Sequence, residues 1–99
     1  MEFDKIIHEP ARLRIMMILN GLEHADFNFL LTTLSLTRGN LSRHVEKLES
    51  AGYLIVKKSF NGKMPNTSYQ LTEKGAKALA QYWENLDAVR NSPTPPVIK

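Results

Sequence analysis

Cysteine is absent from the chain. Its absence excludes a disulfide framework and any zinc or iron–sulfur site built on thiolates, and it suits a cytoplasmic protein. Long apolar runs are missing too. The longest, Ile15-Met16-Met17-Ile18-Leu19, falls far short of the roughly 20 residues needed to span a bilayer. The start, Met1-Glu2-Phe3-Asp4-Lys5-Ile6-Ile7-His8, lacks the basic stretch and apolar block of a secretory leader, so no membrane partner is expected. Histidine occurs only as His8, His24 and His44, too scattered for a recognisable metal motif, and neither metal nor other cofactor is expected. Proline is sparse except at the end. Three of the five prolines crowd into residues 91–99, which have little to pack and are expected to be a disordered tail.

What is present is ordinary globular usage: 42% hydrophobic and 23% charged residues in a chain of 99. That suffices for one compact domain, placed at residues 1–90. Net charge is +3, and its distribution is uneven. Residues 1–36 carry a net charge of −2, and residues 64–99 carry +1. Residues 37–63 carry +4, from Arg38, Arg43, Lys47, Lys57, Lys58 and Lys63 against Glu46 and Glu49. A concentrated positive segment is the electrostatic footprint expected of a nucleic-acid contact, although a solvated basic face accounts for charge alone equally well.

The order of elements decides between these. Pro10 suits the first position of a helix running to Asn20, with Gly21 placed to stop it. Ala11, Ile15, Ile18, Leu19 and Leu22 form its stripe. Leu13, Met16 and Met17 lie off it, which predicts a sandwiched helix whose second layer comes from another subunit. Asp26 is a good N-cap for a second helix carrying Phe27, Leu30, Leu31 and Leu34. Ser35-Leu36 leaves only a tight turn before the next cap, Thr37, and a third helix over 38–51. Two strands follow, Tyr53–Lys58 and Thr67–Leu71. The Asn61-Gly62 turn signal and Pro65 lie between them. Thr72 caps a last helix over about 73–90, with Ala76, Leu79, Ala80, Trp83 and Leu86 as its stripe. The expected fold is mainly α with a small β-hairpin (α+β), a winged helix-turn-helix in the order ααα-ββ-α.

An α-helix fits the major groove of B-DNA, where base-pair edges are distinguishable. A reading helix needs one apolar face to bury and an opposite face to form hydrogen bonds. The third helix has both. Leu41, Val45 and Leu48 share a narrow face, and Gly39, Asn40, Arg43 and Lys47 project the other way. Arg43 can fork onto guanine, and Asn40 can pair with adenine or hold a phosphate. Gly39 lets the backbone approach closely. Thr37 and Ser42 can bind phosphate at the positive helix N-terminus. Arg38 and His44 flank this face, and Lys47 is placed for phosphate. Lys57, Lys58 and Lys63 give the hairpin a grip on the DNA backbone.

The stretch Gly39-Asn40-Leu41-Ser42-Arg43-His44-Val45-Glu46-Lys47-Leu48-Glu49-Ser50-Ala51-Gly52-Tyr53-Leu54 resembles the recognition-helix region of short winged-helix transcriptional regulators near the MarR and ArsR families. Glu9–Met16 is similar to the first-helix signature of ArsR-like proteins, and Pro65–Gly75 to the second wing strand and its exit. The resemblance covers roughly residues 8–90. It implies a homodimeric regulator of double-stranded DNA, often a repressor, paired through its terminal helices. Phe3, Ile6, Ile7, Met16, Leu79, Tyr82, Trp83, Leu86 and Val89 are the residues expected at that contact. Two departures stand out. The cysteines of ArsR-like metal sensors are missing, and the wing tip offers Lys63-Met64 where an arginine would read a minor groove better.

Rival readings are weaker. A protein-binding winged helix keeps the fold but usually loses the basic residues of the third helix, which are retained here. An RNA-binding role is a further, weaker alternative. Ser42 and His44 do not make a nucleophile and base: no orienting acid is evident, and positions this close on a helix splay apart. No enzymatic activity is expected.

Overall fold

The computed structural model describes residues 2–91. Its elements run α1 (Pro10–Gly21), β1 (Ala25–Asp26), α2 (Phe27–Leu34), α3 (Arg38–Ser50), β2 (Leu54–Asn61), β3 (Met64–Leu71) and α4 (Glu73–Arg90). Residues 92–99, most of the expected tail, lie outside the described residues. No helix among the described residues is long and apolar enough to cross a membrane.

Local chemistry accounts for each helix start. The Glu9 carboxylate accepts from the N–H groups of Ala11 and Arg12, and Pro10 follows at the first helical position. Asp26 accepts from Phe29 N–H, Thr37 from Asn40 N–H and Thr72 from Gly75 N–H. Each cap satisfies a donor that the helix itself cannot. The helix ends are equally specific. After α3, Gly52 adopts φ 83°. Its N–H donates to the Glu49 carbonyl, and Tyr53 N–H donates to the Leu48 carbonyl. This paired closure needs a left-handed residue, which glycine supplies without a Cβ penalty. The same closure ends α2, with Ser35 in the left-handed region at φ 54°. Ser35 thereby turns the chain from α2 into α3 within three residues.

The sheet has three strands, in the order β1-β3-β2, all antiparallel. The sequence reading anticipated a two-stranded hairpin. β1 escaped it because two residues, Ala25 and Asp26, are too short for any alternation to show. Ala25 pairs with Tyr69 and Asp26 with Ser68. The hairpin is also longer than expected. Pairing runs from Leu54 opposite Leu71 out to Asn61 opposite Met64, so the stretch expected as an eight-residue loop is mostly strand. The turn proper is Gly62-Lys63, with Gly62 at φ 68°, the placement of glycine at the first central position of a hairpin turn. Pro65 is tolerated because β1 does not extend that far, leaving that side of β3 without a partner strand.

The core joins Ile7, Ile15, Met16, Leu19, Leu30, Leu34, Leu41, Val45, Leu48, Leu54, Tyr69, Leu79 and Tyr82. α1 packs against α2, α3, α4 and β3 together, so its second layer comes from this chain. That overturns the expected use of Met16, which is fully buried within the protomer. Ile7, Leu79 and Tyr82 are corrected for the same reason: their side chains are spent in the protomer's own core and leave nothing for a partner. The Tyr82 hydroxyl is 2.8 Å from His8 Nδ1, and Phe3 stacks on His8 with ring centroids 4.8 Å apart. The N-terminal segment is thus held against α4. A further anchor is Tyr53, whose hydroxyl donates to the Asp4 carboxylate. Burial and that carboxylate push the Tyr53 hydroxyl up to about 12.

The first turn of α4 is closely joined to the chain that follows α3. The Thr72 hydroxyl donates to the Gly52 carbonyl at 2.6 Å, and Thr72 N–H donates to the Tyr53 carbonyl at 3.0 Å. A Cβ on Gly75 would lie 2.4 Å from the Tyr53 carbonyl oxygen. Gly75→Ala is therefore expected to destabilise the fold by about 1–3 kcal/mol in urea unfolding, through overpacking against backbone that cannot yield. Gly39→Ala, whose new methyl group meets nothing within 4 Å, serves as the control and should not destabilise. Equal stability of the two variants would contradict this packing.

Candidate nucleic-acid interface

α3 buries Leu41, Val45 and Leu48 at 0%, 6% and 0% exposure. The opposite face is solvent-exposed along its length: Arg38, Gly39, Asn40, Arg43 and Lys47, with Thr37 just before and Ser42 beside them. At the N-terminal end, Arg38 lies over the Phe27 ring, 5.6 Å from its centroid, and its guanidinium reaches Asn28 Oδ1 at 3.4 Å. Arg43 Nη2 donates to Asn40 Oδ1 at 3.1 Å. The two side chains best suited to bases are therefore coupled and already extended over the same turn.

His44 does not belong to this face. It is 9% exposed, and its Nδ1 lies 3.2 Å from Arg12 Nη1 and 3.3 Å from Glu9 Oε2. The expected DNA contact from His44 is corrected on that ground: the ring faces α1. Arg12 completes the cluster, with its Nε donating to the Ile6 carbonyl at 2.6 Å and Nη1 3.6 Å from Glu9 Oε2. The reading helix is thus tied to the start of α1 by three polar side chains. Burial holds His44 below its ordinary value. Glu9 opposes that shift, while Arg12, Arg43 and Lys47 add to it. Glu9 is raised by burial. The N–H groups of Ala11 and Arg12, with the charges of His44 and Arg12, outweigh this and leave it below the ordinary carboxylate value.

Beside α3 the hairpin forms one wall of an open cleft of about 420 Å³. Ser42, Val45, Glu46 and Glu49 line it from α3, Phe27 from α2, Val56 and Lys58 from β2, and Thr67 and Tyr69 from β3. Strand alternation puts Lys58 on this face and Lys57, with Ile55, on the other. The lysines expected to act together are thereby separated: Lys58 faces α3, Lys57 faces away, and Lys63 sits in the turn. Thr67, opposite Lys58, went unnoticed in the sequence because its strand was read without a register. Glu9 and Arg12 were missed as supports of α3, and no local pattern marks them. Glu46 and Glu49 bring two carboxylates to the cleft, a negative feature that the net charge of the segment hides.

This geometry is matched by known proteins. A family model described as "Winged helix DNA-binding domain" covers residues 11–89. The chain belongs to the winged-helix DNA-binding domain family. An uncharacterized protein of Methanocaldococcus jannaschii is 39% identical over 88 residues, spanning 88% of this chain and 96% of its own. A transcriptional regulator homologue from Pyrococcus horikoshii is 31% identical, with a TM-score of 0.81 over 87% of this chain and 85% of that one. A MarR mutant from E. coli, solved in complex with operator DNA, shares the fold at 21% identity. Its TM-score is 0.66, over 82% of this chain and 61% of that one. The family is one of DNA-binding transcription regulators and not of enzymes.

The buried cluster predicts a pH dependence. The fold holds His44 with a depressed affinity for protons, so the unfolded chain takes up a proton first, near the ordinary value of 6.5. The stability contributed is present above that value and is lost as pH falls below it. Glu9 adds a second loss as pH falls below its ordinary 4.5. The melting temperature should therefore drop between about pH 7 and pH 5.5. His44→Gln should flatten that limb relative to the parent. Parallel curves for the two proteins would refute the role given to His44.

Proposed function

We propose that this chain is a homodimeric, sequence-specific double-stranded-DNA-binding transcriptional regulator, acting as a repressor, with residues 1–90 as its DNA-binding domain. The observation that carries the reading is the division of α3 into a buried apolar face and an exposed face bearing Arg38, Asn40, Arg43 and Lys47. α3 enters the major groove by its N-terminal half, the end that reaches base edges in helix-turn-helix proteins. Arg43 forks onto guanine O6 and N7, exchanging its bond to Asn40 for bonds to the base, and Asn40 is released to an adenine or a phosphate. Thr37, Ser42, Lys47 and Lys58 hold phosphates on either side, Gly39 permits close backbone approach, and Lys63 carries the contact to the hairpin tip.

α4 packs chiefly on α1, which leaves the outer side of its second half open. Leu86 and Val89 are exposed there at 37% and 38%, and Trp83 is half-buried. These three, with the half-buried Phe3 and Ile6, form the pairing surface in this reading. Pairing two copies through α4 places two α3 helices on successive major grooves, about 34 Å apart. One observation favours a second reading, a protein-interaction module. Leu22 and Phe29, exposed at 44% and 46%, share a cleft on the α1–α2 side with His24 and Asp26.

Binding to duplexes selected from a random library tests the reading. Arg43→Ala should weaken binding by about 1–3 kcal/mol and relax preference at one base pair. Lys58→Ala should weaken all sequences alike and lower the salt slope by about one. Unchanged affinity in both variants would remove α3 and the hairpin from the interface. Sedimentation at micromolar concentration should give twice the chain mass, and a strict monomer, alone and on DNA, would overturn the dimer.

A further inference from the structure

The outer half of the β2–β3 hairpin carries a feature that phosphate contact does not use. Phe60 is 75% exposed, the highest value among the large hydrophobic residues of the described chain. Phe60 pairs with Pro65 across the hairpin, two positions beyond the Lys58–Thr67 pair. Side chains two apart on a strand share a face. Val56, Lys58, Thr67 and Tyr69 all face the cleft beside α3, so Phe60 and Pro65 extend that same face outward past the end of the cleft. β1 pairs only with Ser68 and Tyr69, and among the described residues no strand covers the outer half on that side.

We propose that Phe60 is an apolar wedge that enters the DNA minor groove next to the major-groove half-site and loosens one base step there. The proposal rests on the DNA-reading role of α3 given above. Three features point to this occupant. Lys58, two residues before Phe60, and Lys63, in the turn, bracket the ring with positive charge, which fits a target with anionic rims and a flat apolar interior. Phe60 continues the face that meets the DNA backbone through Ser42 and Lys58, and lies about 7 Å farther along the strand than Lys58, a step from a phosphate toward the adjoining groove. A single exposed aromatic ring on a narrow two-stranded ribbon suits a groove about 6 Å wide. Apolar side chains placed between base pairs in the minor groove unstack them, and the cost is lowest at TA and CA/TG steps. Phe60 would therefore add sequence preference at a position where no hydrogen bond is made. The departure noted in the sequence, Lys63-Met64 at the tip in place of arginine, then reflects a different means of minor-groove contact.

The test uses the full chain and a duplex obtained by selection, with 2-aminopurine placed in turn at each TA and CA/TG step flanking the half-site. The parent protein should raise the fluorescence at one flanking step, the sign of unstacking. Phe60→Ala should abolish that signal and weaken binding about tenfold, with the salt slope unchanged, because no charge is lost. Phe60→Trp should retain both signal and affinity. The melting temperature of Phe60→Ala should match the parent, since the side chain is exposed. Parent affinity in Phe60→Ala, or no fluorescence change at any step in the parent complex, would overturn the wedge and leave reading by α3 intact. A parent chain that binds no duplex would overturn both.

Discussion

The packing of Leu41, Val45 and Leu48 into the core is the constraint on which the rest of the structure depends. One stripe of three side chains fixes the rotation of α3, and rotation decides which residues face outward. With that stripe buried, Asn40, Arg43 and Lys47 have no route to the interior, and the chain does not bear the cost of burying their charges or amide. The exposed face is a consequence of the buried one. Rotation by a single position would bring Ser42 or Glu46 toward the core and would strand an uncompensated polar group there. The second face of α3, at His44, is fixed by chemistry of another kind. A ring held between Glu9 and Arg12 has partners of both signs, so the contact is directional where the leucine packing is not.

Around this helix the other elements act as supports at defined places. Ser35, in a left-handed conformation, brings α2 and α3 together through a short turn. Gly52 and Thr72 bind the end of α3 to the start of α4, so the hairpin between them leaves and returns at one point. The hairpin is anchored at its base by the core residues Leu54 and Tyr69 and is exposed beyond Lys57 on β2. This division leaves a base held in the core and an arm exposed to solvent, with the inner part of β2 packed beside α3.

Much of this was legible in the residues, and the exceptions have physical causes. Caps at Asp26, Thr37 and Thr72 were readable because each is a short polar side chain before an apolar periodic run. The inner face of α3 was readable from spacing alone. Met16, Ile7, Leu79 and Tyr82 were assigned to a partner because periodicity tells which residues share a face but not which face the same chain covers; α1 turned out to be surrounded by its own chain. His44 was assigned to DNA because its tie to Glu9 and Arg12 is a tertiary contact across more than thirty residues. Lys57 was grouped with Lys58 because charge along the chain was read without applying strand alternation, which sets neighbouring residues on opposite faces in any register. The two-residue β1 is formed by pairing with β3 and has no signature of its own.

The most direct test of the account is the pattern of bases recovered when the full chain selects duplexes from a random library. The account predicts an enriched, pseudo-palindromic site whose half-sites lie about 10 base pairs apart, each with a guanine whose preference disappears when Arg43 is replaced by alanine. A recovered pool without sequence enrichment, or an enriched site indifferent to Arg43, would contradict the claim that α3 reads DNA.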